Sequence, residues 1–263
     1  MAKMPDGVCN ICGNYGKLSF EHVPPKGAFN DRPVIKGNFE DFTNNPPGEE
    51  LKKGRIQQKG AGAYTLCEKC NNDTGAYYGN SFIDWTYQAL ILSSKTDGNG
   101  AVLYPFHIFP LRIIKQVITM FFSTNGDSFH KAHPDLVRFV LNPEEKYIKP
   151  SIRLFTYLTS GSRSRQTGVV GAGNLNSSGI TIMSEIAFPP VGYLMTIDSA
   201  PPDERLTEIT QFARYGFNEF ETVFLSMKKL PIEYYLPGDY RSMDEMMKDY
   251  EANMTEYGGH PDE

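Results

Sequence analysis

The longest regular pattern in the chain is the set Ile113, Ile114, Val117, Ile118, Phe121 and Phe122, whose spacing predicts an amphipathic helix over 110–123. Pro134 to Leu141 reads as a short second helix. Ile152–Thr159, Gly179–Phe188 and Gly192–Ile197 read as strands, with Pro189-Pro190 turning the chain between the last two. Glu221–Lys228 reads as a further strand, Asp203–Tyr215 as a helix before it, and Arg241–Tyr250 as an exposed acidic helix. Nearer the N-terminus, Leu18 to Pro25 is a short apolar strand stopped by Pro24-Pro25. Gly27 to Gly62 is polar and rich in turn formers, an extended loop or insertion with room for short strands. A helical pattern starts at Cys67, runs through Tyr77, Phe82, Ile83 and Trp85 to Leu92, and stops at Gly98-Asn99-Gly100. The order of elements predicts an α+β chain, with a mixed α/β domain built on an antiparallel sheet after a small N-terminal module. The expected divisions are 1–92, 93–236 and an acidic tail over 237–263.

Composition sets limits on this picture. With 263 residues, 40% apolar and 13% aromatic, the chain can bury an ordinary core. No apolar run approaches the roughly 20 residues that span a bilayer, and the start carries no apolar leader. A cytoplasmic protein with no membrane partner is expected. The net charge is −5, but residues 1–90 carry ten charges of each sign, whereas residues 91–263 carry 16 basic and 21 acidic side chains. A nucleic-acid partner therefore needs a local basic patch.

All four cysteines fall in two C-x-x-C pairs, Cys9/Cys12 and Cys67/Cys70. In a reducing compartment such pairs point to metal rather than disulfides. Two knuckles supply four thiolates, the tetrahedral set that zinc favours, and a zinc with four sulfur ligands has no open position. Its role would be structural. A thioredoxin-like redox role does not fit, since neither pair sits in a strand–helix context of that kind. Beside the knuckles stand two further groups, Glu21-His22 at the end of the short strand and Asn71 directly after Cys70.

C-x-x-C, Glu-His-x-x-Pro and Leu-Cys-x-x-Cys-Asn together resemble the HNH endonucleases that carry a four-cysteine zinc site. The resemblance covers residues 8–85 and implies a ββα-metal fold, with His22 as general base and Glu21 and Asn71 as ligands of a catalytic metal. The family's middle Asn has no counterpart in Gln57–Leu66, so orientation of the base falls to a Gln or a backbone carbonyl. Neutral imidazole can take a proton from water, and a carboxylate with an amide oxygen suits Mg²⁺ or Mn²⁺. Lys26 and Lys69 are candidate phosphate contacts. The implied activity is hydrolysis of nucleic-acid phosphodiesters, DNA first, as in restriction or phage-defence effectors, with a regulatory ligand or protein partner acting through the C-terminal part.

Each of these groups also has a plainer reading. His22 can pack against the knuckle, Glu21 can be a solvated strand-edge acid, and Asn71 can cap a helix, with Asn72 then the replacement ligand and Asn72 or Asp73 the other caps. Tyr77, Tyr78, Phe82 and Trp85 read as core. His107, His130, His133 and His260 have no ligand spacing, Ser162-Arg163-Ser164-Arg165 reads as a basic loop, and Gly171-Ala172-Gly173 lacks the context of a dinucleotide fingerprint. The competing function is a catalytically silent zinc module that recognises nucleic acid or protein.

Overall fold

The computed structural model describes residues 4–37, 54–95, 103–159, 161, 163–173, 180–233 and 236–257. Gly98-Asn99-Gly100, Ser162, His260 and the middle of the Gly27–Gly62 insertion lie outside them.

Three short strands open the chain: β1 (Asp6–Val8), β2 (Tyr15–His22) and, after the hairpin β3 (Val34–Lys36)/β4 (Arg55–Gln57), β5 (Gly62–Cys67). They form one sheet in the order β1-β2-β5. β5 runs straight into a helical rod made of α1 (Glu68–Thr74), a π-helical stretch (Gly75–Gly79) and α2 (Asn80–Lys95). β6 (Tyr104–Ile108) leads to α3 (Pro110–Thr124), followed by α4 (Phe129–Ala132) and α5 (Pro134–Leu141). Pro110 stands in the first turn of α3, where its fixed φ suits the helix and no N–H is missed.

The five-stranded sheet takes the rest: β7 (Ile152–Leu158), β8 (Arg165–Gly173), β9 (Ile180–Phe188), β10 (Val191–Ile197) and β11 (Thr207–Glu208). They lie in the order β11-β7-β10-β9-β8, and every pairing is antiparallel. β12 (Glu221–Leu225) pairs instead with β6, and α6 (Met243–Tyr257) closes the described chain. Alternation divides the sheet's side chains between two cores. Leu154, Tyr193 and Met195 face the helices, and Phe155, Tyr157, Met183 and Leu194 pack under Leu206, Leu230, Ile232 and Tyr240.

The N-terminal sheet has no separate core. Cys9, Ile11, Leu66 and Cys70 share a buried cluster with Trp85, Phe122 and Tyr193. Polar ties run the same way: Trp85 Nε1–H donates to Tyr193 Oη (2.8 Å) and Asn10 Nδ2–H donates to the Phe122 carbonyl (3.0 Å). Tyr78 and Phe82 are also buried, whereas Tyr77 is 41% exposed. No described helix is long and apolar enough to cross a membrane.

Three expectations change. The 110–123 helix is buried on nearly every side rather than amphipathic, with Lys115, Gln116 and Thr119 inside as well. Lys115 is tolerated there because its ammonium reaches the carbonyls of Phe139, Asn142 (2.9 Å) and Glu145 (2.8 Å), which lie in and after the last turn of α5. Asp203–Tyr215 is not a helix. Asp203 Oδ1 accepts the Arg205 N–H (2.8 Å), Thr207–Glu208 joins β7, and only a 3-10 turn remains at Thr210–Arg214. Residues 163–173, read as a basic loop and a glycine run, supply the edge strand β8. The arginines of the segment are engaged within the chain: Arg163, at the surface before β8, donates from Nη1–H to the Glu233 carbonyl (2.7 Å), and the buried Arg165 pairs with Glu185 (2.8 Å).

That last pair is the most deeply buried ion pair among the described residues. Glu185 is fully buried and also accepts from Tyr157 Oη (2.6 Å), Tyr240 Oη (2.8 Å) and the Gly238 N–H (3.2 Å). Removing the carboxylate strands a buried guanidinium and two hydroxyls, so Glu185→Ala is expected to cost about 3–5 kcal/mol. Urea unfolding of the variant checks this; a loss under about 1 kcal/mol would show the knot to be dispensable.

Candidate metal centre and the adjoining strand end

The first cysteine knuckle turns the chain from β1 into β2. Gly13 closes it at φ 73°, a left-handed conformation that favours glycine, and its N–H donates to the Cys9 carbonyl (2.9 Å). The second knuckle joins β5 to α1, with Cys67 in the N-cap position. Pairing of β1 with β2 and of Leu18 with Cys67 sets the two knuckles side by side. All four sulfurs lie within 4.8 Å of one another, and Cys12 Sγ stands 3.9 Å from Cys67 Sγ. Four ligands about 2.3 Å from a zinc at tetrahedral angles are separated by ~3.8 Å, so the cluster has the size that zinc needs. The four thiols are free of disulfides. Cys9 is held well below the usual thiol range because the Cys70 thiol donates to it, and Cys70 is correspondingly raised. A bound cation would favour the thiolate form of all four.

β2 and β5 form an antiparallel pair whose register shifts at Ser19/Phe20, where β5 carries one extra residue, Thr65. The Thr65 carbonyl turns instead to the Asn10 N–H (2.9 Å). The result is two strands and a helix around the cysteine cluster.

Asn71 stands inside α1 rather than at its start, so it is not the cap, and neither Asn72 nor Asp73 is one. Its Nδ2–H groups donate to Ser19 Oγ (3.0 Å) and the Phe20 carbonyl (3.2 Å), which ties the first turn of α1 to β2. Its Oδ1 has no partner among the described residues. Glu21 stands in β2, one residue before its end, 7% exposed, with burial raising its carboxyl to about 8 and no hydrogen bond or ion pair among the described residues. It is thus not the solvated strand-edge acid that the plainer reading supposes.

His22 is half-buried at the end of β2, edge-on to Phe20 (4.9 Å between ring centroids). Its Nε2 lies 2.9 Å from the Lys59 carbonyl. A carbonyl only accepts, so Nε2 carries the proton and Nδ1 keeps the lone pair. Burial lowers the imidazole below its usual value; the Lys59 carbonyl opposes this, and the charges of Lys26 and Lys59 reinforce it. The neutral form is therefore favoured. Of the two lysines proposed from sequence, Lys26 is exposed and acts on His22 through its charge, whereas Lys69 is engaged by Asp73 (2.5 Å) one helical turn away.

Two residues here carry no sequence signal. Lys59 supplies the carbonyl that orients His22, and its ammonium lies 5.3 Å from the Phe20 ring centre and 5.7 Å from that of Tyr64. Asn30 holds the turn that presents Lys59. It is almost fully buried, donates to the carbonyls of Pro24 and Ala61 (both 2.7 Å) and accepts the Ala61 N–H (2.6 Å). Gly60, at φ 88°, leaves no room for a Cβ against the Asn30 carbonyl. Asn30→Ala leaves the Pro24 carbonyl and the Ala61 N–H without partners, the Ala61 carbonyl keeping the Val23 N–H (3.0 Å), and is expected to cost at least about 2 kcal/mol. Chemical denaturation measures it, and an unchanged midpoint would mean that the turn holds without Asn30.

Comparison with protein families, curated proteins and solved structures returns no match for this chain. The HNH resemblance rests on the motif residues.

Proposed function

We propose that the chain is a metal-dependent endonuclease of HNH type that hydrolyses nucleic-acid phosphodiesters, with DNA the substrate the resemblance implies. The observation that carries this reading is the His22–Lys59 hydrogen bond. It fixes the tautomer that leaves Nδ1 as acceptor, on a neutral imidazole beside two ammonium groups. A backbone carbonyl thereby fills the role of the family's missing middle Asn. Further support comes from two oxygen donors that lack protein partners among the described residues: the Glu21 carboxyl, next to His22 in sequence, and the Oδ1 of Asn71, whose Nδ2 is tied to Ser19 and Phe20 of the same strand.

In this reading Nδ1 of His22 takes a proton from water as the oxygen attacks phosphorus, and the P–O bond to the leaving sugar oxygen breaks. Lys59 and Lys26 draw the phosphate to the imidazole and offset its growing charge. Glu21 and Asn71 would hold Mg²⁺ or Mn²⁺, which when bound polarises the phosphate and stabilises the leaving oxygen. Glu21 fits that role as a carboxyl destabilised by burial, which a cation would restore to its ionised form. The cysteine cluster would hold zinc away from the chemistry, tying α1 and Asn71 to β2.

The burial of Glu21 also favours the second reading, a silent zinc module that recognises nucleic acid or protein, because a carboxyl kept protonated needs no metal. Incubation of supercoiled plasmid with the full chain and Mg²⁺ or Mn²⁺ separates the two. Nicking or linearisation that EDTA stops supports the nuclease, and binding without cleavage under every metal condition supports the silent module.

A further inference from the structure

A large cavity lies between the edge of the five-stranded sheet and the β3–β4 hairpin, and it reaches Ala61 and Gly62, the latter the cross-strand partner of His22. It is an open groove of about 1160 Å³, walled by β8, by Val34–Gly37 and by Leu236–Arg241. Small-molecule pockets run from about 300 to 1,000 Å³, so this one is long for a single compact ligand.

Its main wall is unusual. β8 ends the strand order, so its outer edge has no partner strand among the described residues. Natural edge strands are protected by charge, proline, brevity or a bulge. Thr167–Gly173 carries no charge and no proline, and β8 is nine residues long. A bulge interrupts it between Thr167 and Val170, where the Val169 N–H donates to Asn125 Oδ1 (2.5 Å), and beyond the bulge glycines 171 and 173 leave the backbone bare. Val170 pairs with Met183 and Ala172 with Thr181 across the ladder, and all four line the groove.

The charges around it select among occupants. Asp203 is paired with Arg205 and Asp239 with Arg241, each at 2.7 Å. Arg165 is held by Glu185. Lys36, exposed on the hairpin, has no ion pair among the described residues. A phosphate backbone needs a run of free cations, and this groove offers one amid neutralised pairs. An extended peptide needs no such run.

We propose that the groove is a docking site for an extended polypeptide segment that adds as a strand to β8. Its alternate apolar side chains lie against Val170 and Met183, and a carboxylate meets Lys36. Main-chain hydrogen bonds supply affinity and the side-chain subsites supply choice. This proposal is independent of the nuclease reading.

The test is selection of peptides from a random phage-displayed library on the full chain, followed by titration of the synthetic winners. Successive strand residues aim their N–H groups at opposite edges. Of Gly171→Pro and Ala172→Pro, therefore, one removes a donor from the groove and the other a donor from the β9 ladder. The variant whose melting matches the parent is the informative one. The expected result is enrichment of peptides with alternating apolar residues and an acid, whose binding slows amide exchange over 167–173. Affinity should fall about tenfold with that proline variant and severalfold with Lys36→Glu. The proposal is overturned if no peptide is enriched or if the winners bind both variants like the parent. It is also overturned if labelled oligothymidylate occupies the groove in their place, or if sedimentation shows a dimer that the proline variant dissolves.

Discussion

The His22→Ala variant is expected to lose metal-dependent plasmid cleavage by about 10²–10⁴-fold, the range for removal of a general base. The argument is local. With Nε2–H committed to the Lys59 carbonyl, Nδ1 is the only acceptor on the ring, and the burial and positive charges that disfavour imidazolium keep that acceptor available. The substitution removes one half-buried ring and one hydrogen bond, so the variant should melt within a few degrees of the parent. Glu21→Gln provides the companion measurement. It keeps the shape of a buried group that has no protein partner among the described residues, yet withdraws the carboxylate. Loss of cleavage with an undiminished melting temperature would assign Glu21 to the metal rather than to the fold. Wild-type rates in His22→Ala would remove the imidazole from the mechanism.

Removal of zinc is the second large effect. Structural zinc sites bind with apparent free energies of about 10–16 kcal/mol, as large as the whole stability of a typical domain, roughly 5–15 kcal/mol. The cluster is also not peripheral: Cys9 and Cys70 lie in the same buried group as Trp85 and Phe122. We expect one zinc per chain by elemental analysis, and unfolding of the N-terminal sheet on chelation that spreads into the shared core. Trp85, the single tryptophan and fully buried, reports on it directly. Its emission should shift to the red when a strong chelator is added or when Cys70 is replaced by Ser. A chain freed of zinc that melts and fluoresces like the parent would show the cysteines to be an unused cluster.

The two variants separate the roles. Chelation is expected to disturb both structure and activity, whereas His22→Ala is expected to disturb activity alone. A protein in which both behave alike would have its base and its staple in one cooperative unit, as the hydrogen bonds from Asn71 to Ser19 and the Phe20 carbonyl already suggest for the link between α1 and β2.

Much of this is written in short-range pattern. The paired C-x-x-C spacing specifies the cluster because each knuckle is a local turn, and the apolar spacing of 110–123 specifies α3 because a helix repeats every 3.6 residues. The Glu-His and Cys-Asn pairs mark the strand end and the first turn of α1 for the same reason. Composition does not specify β8, since Arg165–Gly173 becomes a strand only because β9 offers it a ladder, and an edge strand draws its order from its neighbour. Asp203–Tyr215 likewise loses its helix to the open edge of β7 and to the side chain of Asp203. The orientation of His22 depends on a carbonyl 37 residues away, held by Asn30 from a third segment. Backbone carbonyls have no signature in a sequence, because every residue carries one. The sequence alone therefore determined which side chains could bind metal and move a proton. Only the tertiary structure decided which tautomer His22 adopts, which acid is stripped of water, and which strand edge is left bare, since each of these depends on contacts between segments far apart along the chain.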